Sequence, residues 1–342
     1  MTRENGTVGF TPGSFLLAAV LVILVGCGGG PGREAAARSP NARPRIVATI
    51  APLADLAHRV AGDMWDVVTL VPPGASPHTW EPSPRDAETF SKAGVFFEVG
   101  LGYEAWLSKI VESGGDAVIV DGSAGLAPIR GGSHETEGSS GGAGGRGTPA
   151  VDSNANTGAA VGKGRPGARA GGGANPHWWL DPIAMKAAAV RLGEILAVRD
   201  PARADDYRGR AAHVAADLDA LDSELRERIS RLPAKKIVTF HAAWDYMARR
   251  YGLTILASIE ESPGREPGPQ LIAEIVRLVR ENDLRALFAE PQFPAKAAEA
   301  IAGECGVKVL ILDPLGGEGI PGRADYFSLM RYNVGVMEKA LQ

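Results

Sequence analysis

The sequence predicts an α/β protein with two βα lobes, each with a mostly parallel sheet, joined by a long rigid linking helix. Short apolar runs alternate with helical stretches in both halves of the chain, as in parallel sheets covered on both faces. A continuous helical pattern over residues 201–232 separates the two halves. Polar side chains follow several of the apolar runs, where open sheets of this class bind ligands.

The first lobe is assigned to residues 45–200. Its apolar runs predict strands, and the segments between them carry helical patterns. Asp181 followed by Pro182 favours the start of a helix. The expected strands are 45–50, 66–71, 95–99 and 117–120, and the expected helices are 54–60, 85–92, 104–111 and 182–198.

Residues 201–232 are expected to form the linking helix. A helix of this extent is about 45 Å long at 1.5 Å per residue, which is the length of a lobe. We interpret it as a strut that limits closure of the lobes to small rotations. Its apolar residues recur at spacings of three and four: Val214, Leu218, Leu221, Leu225 and Ile229.

The second lobe is assigned to residues 233–342 and repeats the order of the first. With one lobe on each side of the strut, the crevice between them is the expected place for a ligand. Strands are expected at 236–240, 253–258, 286–289 and 307–312, and helices at 243–251, 270–281, 295–306 and 325–340.

Residues 131–175 interrupt the first lobe with an unusual composition. Fifteen of these 45 positions are glycine, and none is Leu, Ile, Met or aromatic. Such a segment cannot bury enough apolar surface to offset the entropy of ordering it, so we expect a disordered insert.

The N-terminus carries a targeting signal. Residues 15–25 form an apolar stretch that is shorter than a membrane span and fits a signal peptide, assigned to residues 1–26. The stretch ends in Leu24-Val25-Gly26-Cys27, which resembles the lipidation box of bacterial lipoproteins. The resemblance implies cleavage before Cys27, a lipid on its sulfur, a flexible tether over residues 27–44, and an extracytoplasmic protein anchored to a bacterial membrane, on its periplasmic or cell-surface side.

The composition is that of an ordinary globular protein. Hydrophobic residues make up 45% of the chain, and the net charge of −4 argues against a nucleic-acid partner, which usually meets a basic surface. We expect a monomer. With Cys27 lipidated, the second cysteine, Cys305, has no partner in the chain, so no disulfide framework is expected.

Four potential metal ligands stand out by their positions. His241 and Asp313 directly follow predicted strands, and His78 follows another through a proline-rich loop. His177 precedes the helix predicted at residue 182. Three imidazoles and a carboxylate form a donor set that suits zinc.

The segments around these residues resemble the zinc- and manganese-binding lipoproteins that deliver metal to bacterial ABC importers. The resemblance runs from about residue 45 to the C-terminus without the insert. It implies that His78, His177, His241 and Asp313 bind the metal between the lobes and that the partner is the permease subunit of an importer. The matching segments are 74–84, Pro176-His-Trp-Trp-Leu-Asp-Pro182, 239–241, 246–252, 288–293 and 312–316.

A histidine at position 241 favours zinc over manganese, because carriers of manganese in this family more often have glutamate there. The insert, with His134 as its one histidine, departs from the histidine-rich loop of many zinc carriers. Glu290, Asp181 and Glu81 are candidates for hydrogen bonds to the ligands.

Several alternatives stay open at this point. A manganese carrier of the same family is one. A zinc enzyme is another, if water rather than Asp313 completes a three-histidine site. Gly100-Leu-Gly102 outlines a dinucleotide fingerprint, but patterns this short recur by chance. A surface adhesin is a third reading, without specific support. No reaction-specific motif is present, so we do not expect an enzyme.

Overall fold

The computed structural model of the protein describes residues 43–112, 114–130, 173–260 and 263–342. The predicted signal peptide, Cys27 and His134 lie outside these residues, as do nearly all of the tether and the insert. Searched over the described ranges, the helices include none that is both long and apolar enough to span a membrane.

The first lobe contains a four-stranded parallel sheet. Its strand order is β2-β1-β3-β4, with Ile46 of the first strand in register with Val67 on one side and Val95 on the other. All four strands therefore end at the same edge. The strands are β1 (Arg45–Ala48), β2 (Asp66–Thr69), β3 (Val95–Glu98) and β4 (Val118–Asp121).

Helices cover both faces of this sheet. Ile46 and Ala48 of β1 face one core cluster, while Val47 between them faces another with Phe96. This alternation explains why both faces need apolar side chains. The helices are α1 (Ala51–Ala61), α2 (Pro84–Ser91), α3 (Leu107–Val111) and α4 (Pro182–Arg199).

Helix α5 (Ala204–Ser230) is the long helix that the sequence predicts. Its 27 residues span about 40 Å. It packs on α1 and α4 of the first lobe and on two helices of the second lobe. The predicted apolar stripe is buried, with Leu218, Leu221 and Leu225 at 0% exposure. One core cluster therefore runs through α5 from lobe to lobe.

The second lobe contains two parallel strand pairs rather than one continuous ladder. The pairs are β5-β6 and β7-β8, and β5 lies beside β7. The strands are β5 (Lys236–Thr239), β6 (Thr254–Ser258), β7 (Ala286–Ala289) and β8 (Lys308–Ile311), and the helices are α6 (Asp245–Tyr251), α7 (Pro269–Glu281), α8 (Lys296–Cys305) and α9 (Tyr326–Leu341). The fold class predicted from the sequence is confirmed.

The carboxyl edge of the first sheet also holds one half-buried acid, Glu98, and one buried acid, Glu104. Burial, with the nearby charges of Glu104 and Asp121, raises the pKa of Glu98 to about 8. Burial raises the pKa of Glu104 to about 7, although hydrogen bonds from Thr49 and from the backbone N–H of Val99 oppose the shift. Glu98 therefore retains its proton at neutral pH.

Gly193 permits the close approach of α4 and α5. A Cβ atom at this position would lie 2.7 Å from Cβ of Ala211 and 3.3 Å from the carbonyl oxygen of Tyr207. We expect Gly193→Ala to lower the free energy of unfolding by about 1–3 kcal/mol through overpacking, despite the better helix propensity of alanine. Denaturant titration measures this change. The control is Gly209→Ala on exposed α5 surface, where nothing lies within 4 Å, and it should stabilise by about 0.5–1 kcal/mol.

The raised pKa of Glu98 predicts a dependence of stability on pH. Between the ordinary pKa of 4.5 and about 8, the folded state keeps a proton that the unfolded state releases, so stability falls as pH rises. We expect Glu98→Gln to remove this loss, which is at most about 1.4 kcal/mol per pH unit for one group. Unfolding curves from pH 5 to pH 9 test this. Equal pH profiles for the variant and for Glu88→Gln, at an exposed position, would contradict it.

Candidate metal centre

His78 lies in the loop that follows β2. This loop leaves the carboxyl edge of the first sheet through Pro72 and Pro73 and brings the imidazole over the crevice. The ring packs against Tyr103, with centroids 4.9 Å apart, and against His177 at 5.1 Å. The residue keeps an exposed side, unlike the other two histidines of the site.

His177 lies in the turn before α4 and is 4% exposed. Its Nδ1 lies 2.8 Å from Oδ1 of Asn175, which leaves Nε2 free to face the crevice. The next two residues are buried tryptophans that fix the turn. Trp178 donates its indole N–H to Val99 in the first lobe at 2.9 Å, and Trp179 donates to Pro314 in the second lobe at 2.7 Å.

His241 follows β5 in the second lobe and is 3% exposed. Its Nδ1 lies 2.9 Å from Oε1 of Glu290, a buried residue that follows β7. Trp244 donates its indole N–H to the same oxygen at 3.3 Å. The carboxylate therefore orients the His241 ring so that Nε2 points toward the first lobe.

The three histidines meet at one point between the lobes. Nε2 of His177 lies 3.0 Å from Nε2 of His78 and 3.2 Å from Nε2 of His241. Two imidazoles bound to a tetrahedral zinc ion at 2.0–2.1 Å would have nitrogens about 3.4 Å apart. Among the described residues, the ligand atoms of these three histidines lie within 4.8 Å of one another and could hold a metal ion.

Burial keeps the imidazoles ready to bind a cation. It lowers the pKa of His177 well below its ordinary value, and neighbouring His241 and His78 lower it further. Burial of the ring and the proximity of His241 also lower the pKa of His78. Neutral imidazoles have the free lone pair that metal binding requires.

Asp313 follows β8 and is fully buried, but the structure does not bring its carboxylate into the histidine group. Arg323 donates to Oδ2 at 2.8 Å, and Gln292 donates to Oδ1 at 2.9 Å. The backbone N–H groups of Leu315 and Gly316 donate to Oδ1 at 3.0 Å each. In this arrangement Oδ1 accepts three hydrogen bonds and Oδ2 accepts one from Arg323, and these donors compete with a metal.

The other acids considered from the sequence have different roles. Glu290 contacts His241, one of the predicted ligands. Asp181 caps α4 by accepting from the N–H of Ile183 at 2.9 Å. Glu81 is exposed and lies 3.7 Å from Lys109.

Two residues at the site were not anticipated. The sequence assigns Asn175 to the disordered insert, yet the residue is 3% exposed and its Oδ1 contacts Nδ1 of His177. Gln292 borders the crevice and contacts Asp313. Sequence position could have identified both, because Asn175 lies two residues from the predicted ligand His177 and Gln292 lies two residues from Glu290. The crevice is otherwise lined by Ser76, Pro77, Tyr103, Phe293, Pro314 and Leu315.

Residues 46–340 match the ZnuA family model, described as zinc-uptake complex component A periplasmic. The match covers both lobes and the linking helix. The resemblance drawn from the sequence motifs is thereby confirmed.

Relatives and solved structures agree with this match. The chain is 29% identical over 302 residues to the iron-binding protein YfeA of Yersinia pestis, covering 86% of this chain and 85% of the relative. It is 25% identical over 334 residues to the high-affinity zinc uptake system protein ZnuA of Bacillus subtilis, covering 96% and 97%. A crystal structure of ZnuA superposes with a TM-score of 0.73 at 30% identity, covering 88% of this chain and all of that one.

Proposed function

The chain belongs to the ZnuA family of periplasmic zinc-uptake components, and we propose that it captures zinc outside the cytoplasm and delivers it to an ABC-type importer. The observation that carries this proposal is the convergence of three Nε2 atoms at 3.0 and 3.2 Å from opposite sides of a crevice. His78 and His177 come from the first lobe and His241 from the second. Zinc bound by all three would join the lobes.

The donor set favours zinc among the candidate metals. Imidazole nitrogen suits zinc, whereas manganese prefers more oxygen donors and lies lower in intrinsic affinity. A manganese carrier remains the alternative within the family. One relative is named for iron and another for zinc, so the argument for zinc rests on the residues of this chain.

Asp313 completes the proposed ligand set. Its carboxylate can reach a metal when it exchanges at least one of its contacts with Arg323 and Gln292. A closed site with four protein ligands leaves no position for a substrate or an activated water, which favours a carrier over a zinc enzyme.

Capture and release follow from the two-lobed site. Zinc exchanges its water for three imidazoles that are already grouped, so the reorganisation before binding falls on Asp313, which must exchange a contact with Arg323 or Gln292. The bound ion holds the lobes in one pose, which docks on the permease subunit of the importer. The permease must then separate the lobes or loosen His241 to free the ion.

The proposal includes a monomer attached to a membrane through a lipid on Cys27. The family description places its members in the periplasm. The apolar stretch 15–25, which ends in the segment Leu24-Val25-Gly26-Cys27, supports the lipid anchor.

Competitive titration of the metal-free protein with zinc and manganese tests the site. We expect one zinc per chain with manganese much weaker, and a shift of the balance toward manganese in His241→Glu, because a carboxylate replaces an imidazole. His177→Ala should weaken zinc binding by more than about 100-fold, beyond the usual effect of losing an outer hydrogen-bond partner.

The same titration of Asp313→Asn tests the fourth ligand. Asp222→Asn is the matched control, because it removes a buried acid that pairs with Arg250 and does not line the crevice. Weaker zinc binding is expected for Asp313→Asn alone. Weak binding of both metals by the parent protein would overturn the zinc proposal.

Fractionation of cells expressing the full chain tests the anchor. We expect Cys27→Ala to abolish incorporation of a labelled fatty acid and to move the protein out of the membrane fraction, since its sulfur is the proposed acylation site. Cys305→Ala removes the other cysteine and should change neither result. A labelled, membrane-bound Cys27→Ala protein would show that the anchor lies elsewhere.

A further inference from the structure

Asn175 lies at the junction of the two lobes and uses both ends of its side-chain amide. The residue is 3% exposed. Oδ1 accepts hydrogen bonds from the first lobe, and Nδ2 donates hydrogen bonds to the second lobe. Each end carries two contacts of 3.0 Å or less.

The Oδ1 end fixes His177. Oδ1 accepts from the backbone N–H of His177 at 3.0 Å and lies 2.8 Å from its Nδ1. A carbonyl oxygen can only accept, so Nδ1 of the imidazole must carry the proton in this contact. The lone pair is then on Nε2, the atom that faces His78 and His241.

The Nδ2 end reaches the second lobe. It donates to the backbone carbonyl of Ala242, the residue after His241, at 2.6 Å. It also donates to Oδ2 of Asp245, the first residue of α6, at 2.7 Å. The opposite orientation of the amide would place Oδ1 against two oxygens with no hydrogen between them, so the hydrogen-bond network determines this orientation.

We propose that Asn175 is a positioning residue that couples the binding-competent tautomer of His177 to contact between the lobes. This inference rests on the proposed function and deepens it. When the lobes meet, the second lobe holds the amide by Nδ2, and the same planar group presents Oδ1 to His177. Separation of the lobes removes the Nδ2 contacts and frees the amide to rotate, which loosens the ring that binds the cargo.

A second contact ties the same segment to α6. Tyr246 donates its hydroxyl to the backbone carbonyl of Asn175 at 3.0 Å and accepts from the N–H of Ile129 at 3.1 Å. Ile129 and Asn175 are also joined by a backbone hydrogen bond of 2.8 Å. Tyr246 thus holds the backbone here, whereas the side chain of Asn175 contacts the imidazole.

The chemistry distinguishes asparagine from aspartate at this position. A carboxylate could accept from His177 as well as the amide does, but it has no hydrogen for Ala242 or Asp245. Asn175→Asp would therefore preserve the tautomer of His177 and set two carboxylates against each other across the lobes. Exchanging the partners, in Asn175→Asp/Asp245→Asn, restores one donor across the junction and removes the repulsion.

Three readouts on the full chain test the proposal. Zinc affinity is measured by competition with a chelator. Nitrogen NMR of the histidine side chains reports which ring nitrogen of His177 carries the proton. Hydrogen exchange at the start of α6 reports contact between the lobes. The variants are Asn175→Ala, Asn175→Asp and the double exchange, with Tyr246→Phe as a control that loosens the same segment and leaves the amide in place.

We expect Asn175→Ala to weaken zinc binding by about 10–100-fold, the range for outer partners of metal-binding histidines, and to mix the tautomers of His177. Asn175→Asp should retain the tautomer, lose exchange protection at α6 and bind zinc more weakly. The double exchange should recover protection and at least part of the affinity. Tyr246→Phe should leave the tautomer unchanged.

Unchanged tautomer and α6 protection in Asn175→Ala would overturn the coupling. So would a double exchange that is no better than Asn175→Asp alone in both protection and affinity. The NMR and exchange measurements use metal-free protein and are therefore informative even if the parent fails to bind zinc. Failure of the parent protein to bind zinc would overturn the proposed function. Tight zinc binding by the parent, with the same affinity, tautomer and α6 protection in the Asn175 variants, would overturn the role of Asn175.

Discussion

The structure depends on one constraint, which is that the ligand nitrogens of three histidines from two lobes lie within 4.8 Å of one another. Charged imidazoles could not be packed so closely, because like charges repel strongly in a poorly solvated site. Burial resolves this by keeping His177 and His78 neutral. The same burial creates the grouped lone pairs that a cation can join.

The linking helix gives this constraint a fixed frame. Helix α5 packs on α1 and α4 in one lobe and on α6 and α9 in the other, and a single apolar cluster continues through it. At Gly193, α4 and α5 approach so closely that a Cβ atom would lie 2.7 Å from Cβ of Ala211. A stiff frame of this kind suits a site whose histidines come from segments that follow core strands or precede a core helix.

Hydrogen bonds to Nδ1 set the orientation of two of the rings, those of His177 and His241. Glu290 holds His241 from within the second lobe, whereas Asn175 holds His177 and also reaches across to the second lobe. The carboxylate of Asp313 is held by Arg323 and by backbone N–H groups. The polar groups beside the crevice thus decide which donors are available to the cargo.

The sequence by itself determined the strands, the helices and the positions of the three histidines, because apolar periodicity and helix starts depend on nearby residues. It also identified the family through motifs that are continuous in the chain. Only the tertiary structure decided that the second lobe has two strand pairs, that Asp313 faces Arg323, and that Asn175 bridges the lobes. These features join residues far apart in the chain, such as Asn175 and Asp245, and no local pattern specifies which distant side chain a buried polar group will meet.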